Sequence, residues 1–547
     1  MNAQAEYKRW LENVQDSALL DDMQNLSEED ITDRFGAYLE FGTAGLRGIL
    51  GAGTNRMNSY VVRRATLGLA KTITDKDAGV VIAHDSRNYS REFAEETALV
   101  FAAAGIKAYL FESLRPVPMV SYTVRRLNAA AGVMITASHN PKEYNGYKAY
   151  GPDGGQLPPD AAKRAMEAME SVDPFDVPMM DENEAREKGL LVTLGEDIDA
   201  PYIEHVLSLR PNITNVCRDL RIVYTPLHGA GNLLVRRALK DAGFENVFVV
   251  KEQELPDGDF STVRSPNPED SAAFTIAMKL GDEVDADLLV GTDPDCDRVG
   301  VMMRENGTWR VLTGNQIGCL LLEYMLNAKK PQEGAYAVKT IVTTRLADAI
   351  GKAHGIDVYN VLTGFKFIGE TIQKMLDEGN NGFVLGFEES YGYLAGGYIR
   401  DKDAVIASTL ICEMAAQLKS EGKLLADAME DIYKKYGYYK EGVVNIVMKG
   451  VDGVRLRNEK MSSLRENAPA EIGGLKVLEC VDYINGAKGL PASNVLMFEL
   501  EKDAWLCVRP SGTEPKLKIY AGVCEETDEA ACKAIDEIIA DARKLME

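Results

Sequence analysis

Ala131-Gly132-Val133-Met134-Ile135 runs directly into Thr136-Ala137-Ser138-His139-Asn140-Pro141. Five apolar residues closed by a hydroxyl-rich turn predict a buried strand whose end carries Ser138 at its mouth. Asn-Pro makes the turn, and α/β proteins hold reacting groups at such strand ends. Taken alone, an ordinary Ser/Asn turn is the simpler reading. The rest of the chain shifts the balance.

The same punctuation recurs outward from this point. Residues 79–83 lead through Asp85-Ser86-Arg87 into a helical pattern at 90–104. Residues 220–224 lead through Thr225-Pro226-Leu227-His228-Gly229 into 232–242, and 335–341 lead into 344–354. Strand, polar loop, helix in three successive portions predicts α/β units and a weak internal triplication. From about residue 442 the pattern changes. Strand-like runs at 443–448, 475–480, 495–500, 504–508 and 516–523 outnumber helices, of which 527–546 is one, and predict a smaller α+β domain. The expected fold class is therefore α/β, with three related mixed-sheet domains and a fourth α+β domain, at residues 1–195, 196–313, 314–438 and 439–547. The charged stretch 180–188 reads as a solvated connection.

Three more loops follow strand-like runs. Asp293-Pro294-Asp295-Cys296-Asp297-Arg298 delivers three carboxylates at spacing two. Hard oxygen ligands so spaced suit Mg²⁺, and without a cation they repel one another. A solvated acidic turn is the plainer alternative; Arg298 and the preceding apolar run favour metal. Arg509-Pro510-Ser511-Gly512-Thr513-Glu514-Pro515-Lys516 combines hydroxyls, a glycine and flanking cations as a phosphate cradle would. Gly386-Phe387-Glu388-Glu389-Ser390-Tyr391-Gly392 offers acidic and hydroxyl groups that suit sugar hydroxyls, or equally a helix N-terminus.

Together, and in this order, the four loops resemble the α-D-phosphohexomutase family, the phosphoglucomutases and phosphomannomutases, over nearly the whole chain. The resemblance implies four domains around a central cleft and a set of roles. Ser138 would carry the phosphate, and Asp293, Asp295 and Asp297, with Ser138, would hold one Mg²⁺ per chain. Glu388 and Ser390 would read the sugar, while Arg509, Ser511, Gly512 and Thr513 would grip the distal phosphate. Phe41-Gly42-Thr43-Ala44-Gly45-Leu46-Arg47-Gly48 is similar to the family's N-terminal signature and nominates Arg47 beside the phosphoserine. Tyr144-Asn145-Gly146-Tyr147-Lys148 nominates Lys148 for proton transfer. Lys366, in Thr363-Gly364-Phe365-Lys366-Phe367, is expected to contact the ligand, and Lys402, in Arg400-Asp401-Lys402-Asp403, to be a second acid/base group.

The implied activity interconverts glucose 1-phosphate and glucose 6-phosphate through phospho-Ser138, with glucose 1,6-bisphosphate as intermediate and activator. Arg47 and Arg298 would add charge stabilisation. Glu388-Glu389-Ser390 is similar to the loop of phosphoglucomutases, whereas phosphomannomutases tend to carry a histidine where this chain has Gly392. Mannose and pentose phosphates stay open as substrates, as more remotely do an aspartate-nucleophile phosphatase and a non-catalytic sugar-phosphate sensor. Neighbouring side chains leave a backbone in different directions, so His139 is expected to shape the loop or bind phosphate rather than deprotonate Ser138.

Composition sets the limits. With 547 residues and 46% hydrophobic content, the chain is too long for one core. A net charge of −23 without a basic stripe argues against nucleic acid. Eight cysteines without a C-x-x-C pair speak against zinc and a disulfide framework. No stretch reaches the roughly 20 apolar residues of a membrane span, and residues 1–12 carry no signal-like apolar core, so a soluble cytoplasmic protein is expected. The oligomeric state is not legible.

Overall fold

The computed structural model describes residues 1–40, 45–211, 216–448, 453–510 and 516–546. The chain divides into two compact units. The first comprises Met1–Leu312, Gly369–Gly379 and Ser390–Glu421; the second comprises Thr313–Ile368, Asn380–Glu389 and Gly422–Glu547.

Within the first unit, the strand Ala131–Ile135 lies beside Val80–His84, and both are buried along their whole length. Strands without a polar face are what parallel pairing with helices on both sides requires. Ala108–Phe111 and Leu191–Leu194 extend this parallel core on one side. On the other side Tyr144–Tyr150 runs antiparallel to Ala131–Ile135 and Leu46–Ile49 antiparallel to Tyr144–Tyr150, so the six-stranded sheet is mixed. The helices Ser59–Thr72 and Ser90–Ala103 bury Val61, Val62, Leu69, Phe93 and Phe101 in its core, where a fully buried side chain of this size contributes about 1.5–3 kcal/mol.

A second sheet repeats the plan. Ile222–Thr225 pairs in parallel with Val247–Val249 and Leu288–Thr292, and Val299–Glu305 and Thr308–Val311 add antiparallel strands. In both sheets the candidate loop, Ser138 in one and the aspartates in the other, joins a buried parallel strand to its antiparallel neighbour.

In the second unit, Tyr336–Thr340 pairs in parallel with Asp357–Val361 and Phe383–Glu388. The C-terminal sheet is antiparallel throughout, in the order Tyr438–Val447, Lys516–Glu525, Trp505–Pro510, Leu496–Leu500, Leu475–Asp482, Glu471–Ile472. Its inner strands alternate between two cores. Leu496, Phe498, Leu506 and Val508 face a core completed by Ile535 and Ile538 of the helix Asp528–Met546, while Met497, Trp505 and Cys507 face Val342 and Leu362. Three α/β domains with mixed sheets and a C-terminal domain with an antiparallel sheet are thus the architecture.

One segment departs from the sequence reading. Residues 182–187 form a helix, Glu182–Glu187, not a bare connection: Asp181 caps it, accepting from the amides of Asn183 and Glu184, and Ala185 is buried. The N-terminal helices Ala3–Asn13, Ser17–Asp22 and Glu28–Phe35 form a small core of their own around Trp10, Met23 and Phe35. Among the described residues no helix is long and apolar enough to cross a membrane.

Candidate functional site

Ser138 is buried and adopts a left-handed backbone, φ 54°. For a residue with a Cβ that conformation costs about 1–2 kcal/mol, so the surroundings must impose it. They do. The Ser138 amide donates to Thr136 Oγ1 at 2.8 Å, and the Thr136 hydroxyl donates to Asp85 Oδ2 at 2.7 Å. The Ser138 hydroxyl donates to Asp293 Oδ2 at 2.9 Å and lies 3.2 Å from His139 Nδ1. The expectation that the two neighbouring side chains diverge therefore fails. It holds for extended backbone, and the left-handed turn brings serine and histidine together. Burial, reinforced by Arg298 and Arg47, pushes the His139 imidazole well below its ordinary range, which leaves it neutral at pH 7.

Asp293, Asp295 and Asp297 are all buried, and one oxygen from each lies within 4.8 Å of the others. Asp293 Oδ1 folds the loop by accepting from the amides of Asp297 at 3.1 Å and Arg298 at 3.0 Å. Burial, with Asp295 and Asp297 alongside, raises the Asp293 carboxyl well above its usual range. Burial works against the Asp297 charge too, yet Lys402, Lys148 and Arg298 outweigh it and hold that carboxyl low. Among the described residues, Asp295 Oδ1 and Asp297 Oδ1 are buried without a hydrogen-bond partner. Orphaned carboxylate oxygens in a converging triad fit a hard divalent cation, which needs such ligands and repays their mutual repulsion.

Two lysines bind the triad from one side. In Tyr144–Tyr150, Tyr147 and Ala149 enter the core, so Lys148 and Tyr150 share the opposite face. Lys148 Nζ donates to Asp295 Oδ2 at 2.8 Å and Asp297 Oδ2 at 3.2 Å. Burial opposes its charge, but the two aspartates outweigh burial and raise its pKa. Lys402 Nζ lies 3.3 Å from Asp297 Oδ2 and donates to Asp401 Oδ1 at 2.9 Å. Asp401 Oδ2 accepts from Tyr150 Oη at 3.0 Å and Gln156 Nε2 at 2.9 Å. Arg47 donates to Asn140 Oδ1 at 3.1 Å, and Arg298, 3.8 Å from Asp297, donates to Glu269. Ser138, Lys148, Lys402, Arg47, Arg298 and the three aspartates thus gather in the first unit.

Gly392, at the start of the strand Gly392–Ala395, touches this cluster. A Cβ there would stand 2.2 Å from Lys402 Cδ. Overpacking of this kind costs about 1–3 kcal/mol. Gly392→Ala is expected to lower the midpoint of thermal unfolding, and to do so much less in a Lys402→Ala background. Equal losses in the two backgrounds would show that the lysine stem does not occupy this space.

The second unit holds a separate group. Trp505, Cys507 and Arg509 share one face of their strand, and Arg509 donates to the Thr363 hydroxyl. Glu388, the buried last residue of its strand, accepts from the Gly364 amide through Oε1 at 3.0 Å, and Lys366 is buried in the helix that follows Gly364. Glu388 ends a strand rather than opening a helix. Ser390 belongs to the first unit, half-buried in the turn before Gly392. Ser511, Gly512 and Thr513, and the start of the N-terminal signature at 41–44, lie outside the described residues.

Sequence reading missed Glu269, Tyr150 and the part played by Asp85 and Arg87. Tyr150 was within reach, being two residues beyond Lys148 on a strand.

Mixed α/β sheets that bring a serine hydroxyl and a carboxylate triad, at strand ends, together with two lysines define a multidomain α/β protein with a polar, metal-fitting centre. Models of the phosphoglucomutase/phosphomannomutase α/β/α domains I, II and III match residues 38–175, 200–307 and 313–436, and that of the C-terminal domain matches 421–542. The chain belongs to the phosphoglucomutase/phosphomannomutase family, and is an enzyme of the phosphohexomutase kind. It is 37% identical to a phosphoglucomutase of Staphylococcus epidermidis over 97% of this chain and 99% of that one. Its fold is similar to that of pp63/parafusin, a phosphoglucomutase from Paramecium, with TM-score 0.70 and 17% identity over 93% and 95% of the two chains. It is also similar to Aspergillus fumigatus N-acetylphosphoglucosamine mutase, solved with GlcNAc-6P and magnesium, with TM-score 0.52 and 15% identity over 97% and 99%.

Proposed function

We propose that the protein interconverts glucose 1-phosphate and glucose 6-phosphate through phosphorylated Ser138 and bound glucose 1,6-bisphosphate. The observation that carries this reading is the Ser138 hydroxyl, 2.9 Å from a carboxylate of the buried triad, in a chain 37% identical to a phosphoglucomutase. Asp293, Asp295 and Asp297, with Ser138, would hold a Mg²⁺ ion, which when bound would supply positive charge against the charge spreading over the transferring phosphoryl group.

The chain's own groups account for the rest. The phosphorus–Oγ bond of phospho-Ser138 breaks as the sugar C6 hydroxyl oxygen bonds to phosphorus. The hydroxyl proton enters the lysine–aspartate network, and a proton ends on Ser138 Oγ. After the bisphosphate turns over, Ser138 Oγ gives its proton to the same network and bonds to the C1 phosphorus, while the C1 oxygen–phosphorus bond breaks and the C1 oxygen takes up a proton. Lys148, kept protonated by Asp295 and Asp297, is placed to exchange protons with the sugar hydroxyl through those carboxylates. Lys402, tied to Asp401, is the second acid/base group. Arg47 and Arg298 add charge stabilisation. Glu388 and Ser390 read the sugar, Lys366 contacts the ligand, and Arg509, Ser511, Gly512 and Thr513 grip the distal phosphate. The domains are assigned at 1–195, 196–313, 314–438 and 439–547, and the compartment as the cytoplasm.

The test compares glucose, mannose, glucosamine and pentose 1-phosphates in one assay with Mg²⁺ and catalytic glucose 1,6-bisphosphate. Glucose 1-phosphate is expected to have the highest kcat/KM. A higher value for mannose or a pentose would move the assignment to phosphomannomutase or phosphopentomutase. Phosphate found on aspartate would replace the mutase with a phosphatase, and no turnover at all would leave a sensor.

A further inference from the structure

Behind Ser138, the guanidinium of Arg87 is buried and ion-paired with Asp85 at 3.3 Å. It donates to four backbone carbonyls of the serine loop: Pro141 at 2.9 Å, Tyr144 at 3.1 Å, Asn140 and Ser138 itself. Asp85 completes the clamp, accepting from Thr136 Oγ1 at 2.7 Å, Ser90 Oγ at 2.7 Å and the Arg87 amide at 2.9 Å. The ring of Phe260 lies 5.0 Å from the guanidinium carbon. The loop is thereby fixed on both sides of the serine, through Thr136 before it and through Ser138, Asn140, Pro141 and Tyr144 at and beyond it.

This arrangement explains why a serine holds a left-handed φ here. Four carbonyls aimed at one point repel one another unless a cation with several donors sits between them. A planar guanidinium offers five N–H groups in a fixed fork; an ammonium offers three on a flexible stem and cannot address all four acceptors at once. We propose that Arg87 is a positioning residue for phosphoryl transfer: it touches no substrate atom and sets the direction of the Ser138 Oγ–phosphorus bond through the backbone. The inference rests on the reading of Ser138 as the phosphate carrier.

Arg87→Lys keeps the charge and loses the fork, so it separates aim from electrostatics. Misplacing a reacting group by about 1 Å costs about 10²-fold in rate. Turnover of glucose 1-phosphate is therefore expected to fall by about that factor, with KM within about threefold, the pattern of an interaction felt in the transition state. After loading with glucose 1,6-bisphosphate, the ³¹P resonance of phospho-Ser138 is expected to shift or broaden. Arg64→Lys is the control. Arg64 is buried in the same domain and donates to the Val172 carbonyl at 3.2 Å, so this variant lowers the unfolding temperature without moving the resonance or kcat. Should Arg87→Lys fail to accumulate, Asp85→Asn loosens the same clamp from its other side and is expected to move both readouts in the same direction. A resonance and kcat in Arg87→Lys, or in Asp85→Asn in its place, no more altered than in Arg64→Lys would overturn the inference. If the wild-type protein takes up no phosphate on Ser138, the carrier reading itself fails, and the two failures are told apart by that first loading.

Discussion

Ser138→Ala is expected to lower mutase turnover by about 10⁴-fold or more, because it removes the atom to which phosphorus bonds, and the loss of a nucleophile is not made good by the groups around it. The fold should survive. Alanine tolerates φ 54° no worse than serine, and the Thr136–Asp85 and Arg87 contacts that hold the loop involve its backbone. Asp293 Oδ2 loses its donor and His139 Nδ1 its contact with Oγ, and an unsatisfied buried acceptor costs about 1–3 kcal/mol. Asp293 is already held well above the ordinary carboxylate range, so it takes up a proton instead of remaining a bare charge, and the loss in unfolding temperature should be a few degrees. Intact-mass analysis after incubation with glucose 1,6-bisphosphate should show one phosphoryl group on the wild-type chain and none on the variant. An alanine variant within tenfold of wild type would remove Ser138 from the reaction.

The contrast between Ser138 and Arg87 shows which parts of the site can be read from sequence. A serine at the end of an apolar run, or three aspartates at spacing two, announces itself because one loop supplies all the groups and the loop's own geometry brings them together. Arg87 serves a loop about fifty residues further on, and only the parallel pairing of Val80–His84 with Ala131–Ile135 puts the two strand ends side by side. Glu269 and the space taken up by Lys402 at Gly392 are tertiary in the same sense. His139 went astray for a local reason: the rule applied to it belongs to extended backbone, and a left-handed residue reverses it. The fold was more accessible than the site's supports. Buried strands read as continuous apolar runs; that Leu496 and Phe498 face one core and Met497 another is not legible in a run that is apolar throughout. The short helix Glu182–Glu187 was hidden because a six-residue, mostly charged segment has one buried residue, Ala185, to announce it.

Asp293→Asn should separate what the triad contributes to stability from what it contributes to catalysis, with opposite signs. In chelator, three buried carboxylates face one another, and Asp293 is the one whose charge is least tolerated. A carboxyl raised in the folded state binds its proton more tightly there than in the unfolded chain, where its pKa is about 3.9; its contribution is therefore lost as pH rises above that value. Asparagine keeps an oxygen for the amides of Asp297 and Arg298 and carries no charge to lose. With EDTA at pH 7 the variant should unfold at the same temperature as wild type or higher, and its stability should fall less steeply between pH 4 and 7. With Mg²⁺ the order reverses. Binding to the folded state alone stabilises wild type by about 2.7 kcal/mol at a hundred times the dissociation constant, a gain the variant should largely lose. Turnover should fall by about 10²–10³-fold, the scale seen when one element of an electrostatic cradle is removed. Thermal unfolding in EDTA and in Mg²⁺, beside the assay, checks all three. A variant that is less stable in EDTA yet still gains as much from Mg²⁺ would mean that Asp293 serves the loop's fold and not the cation.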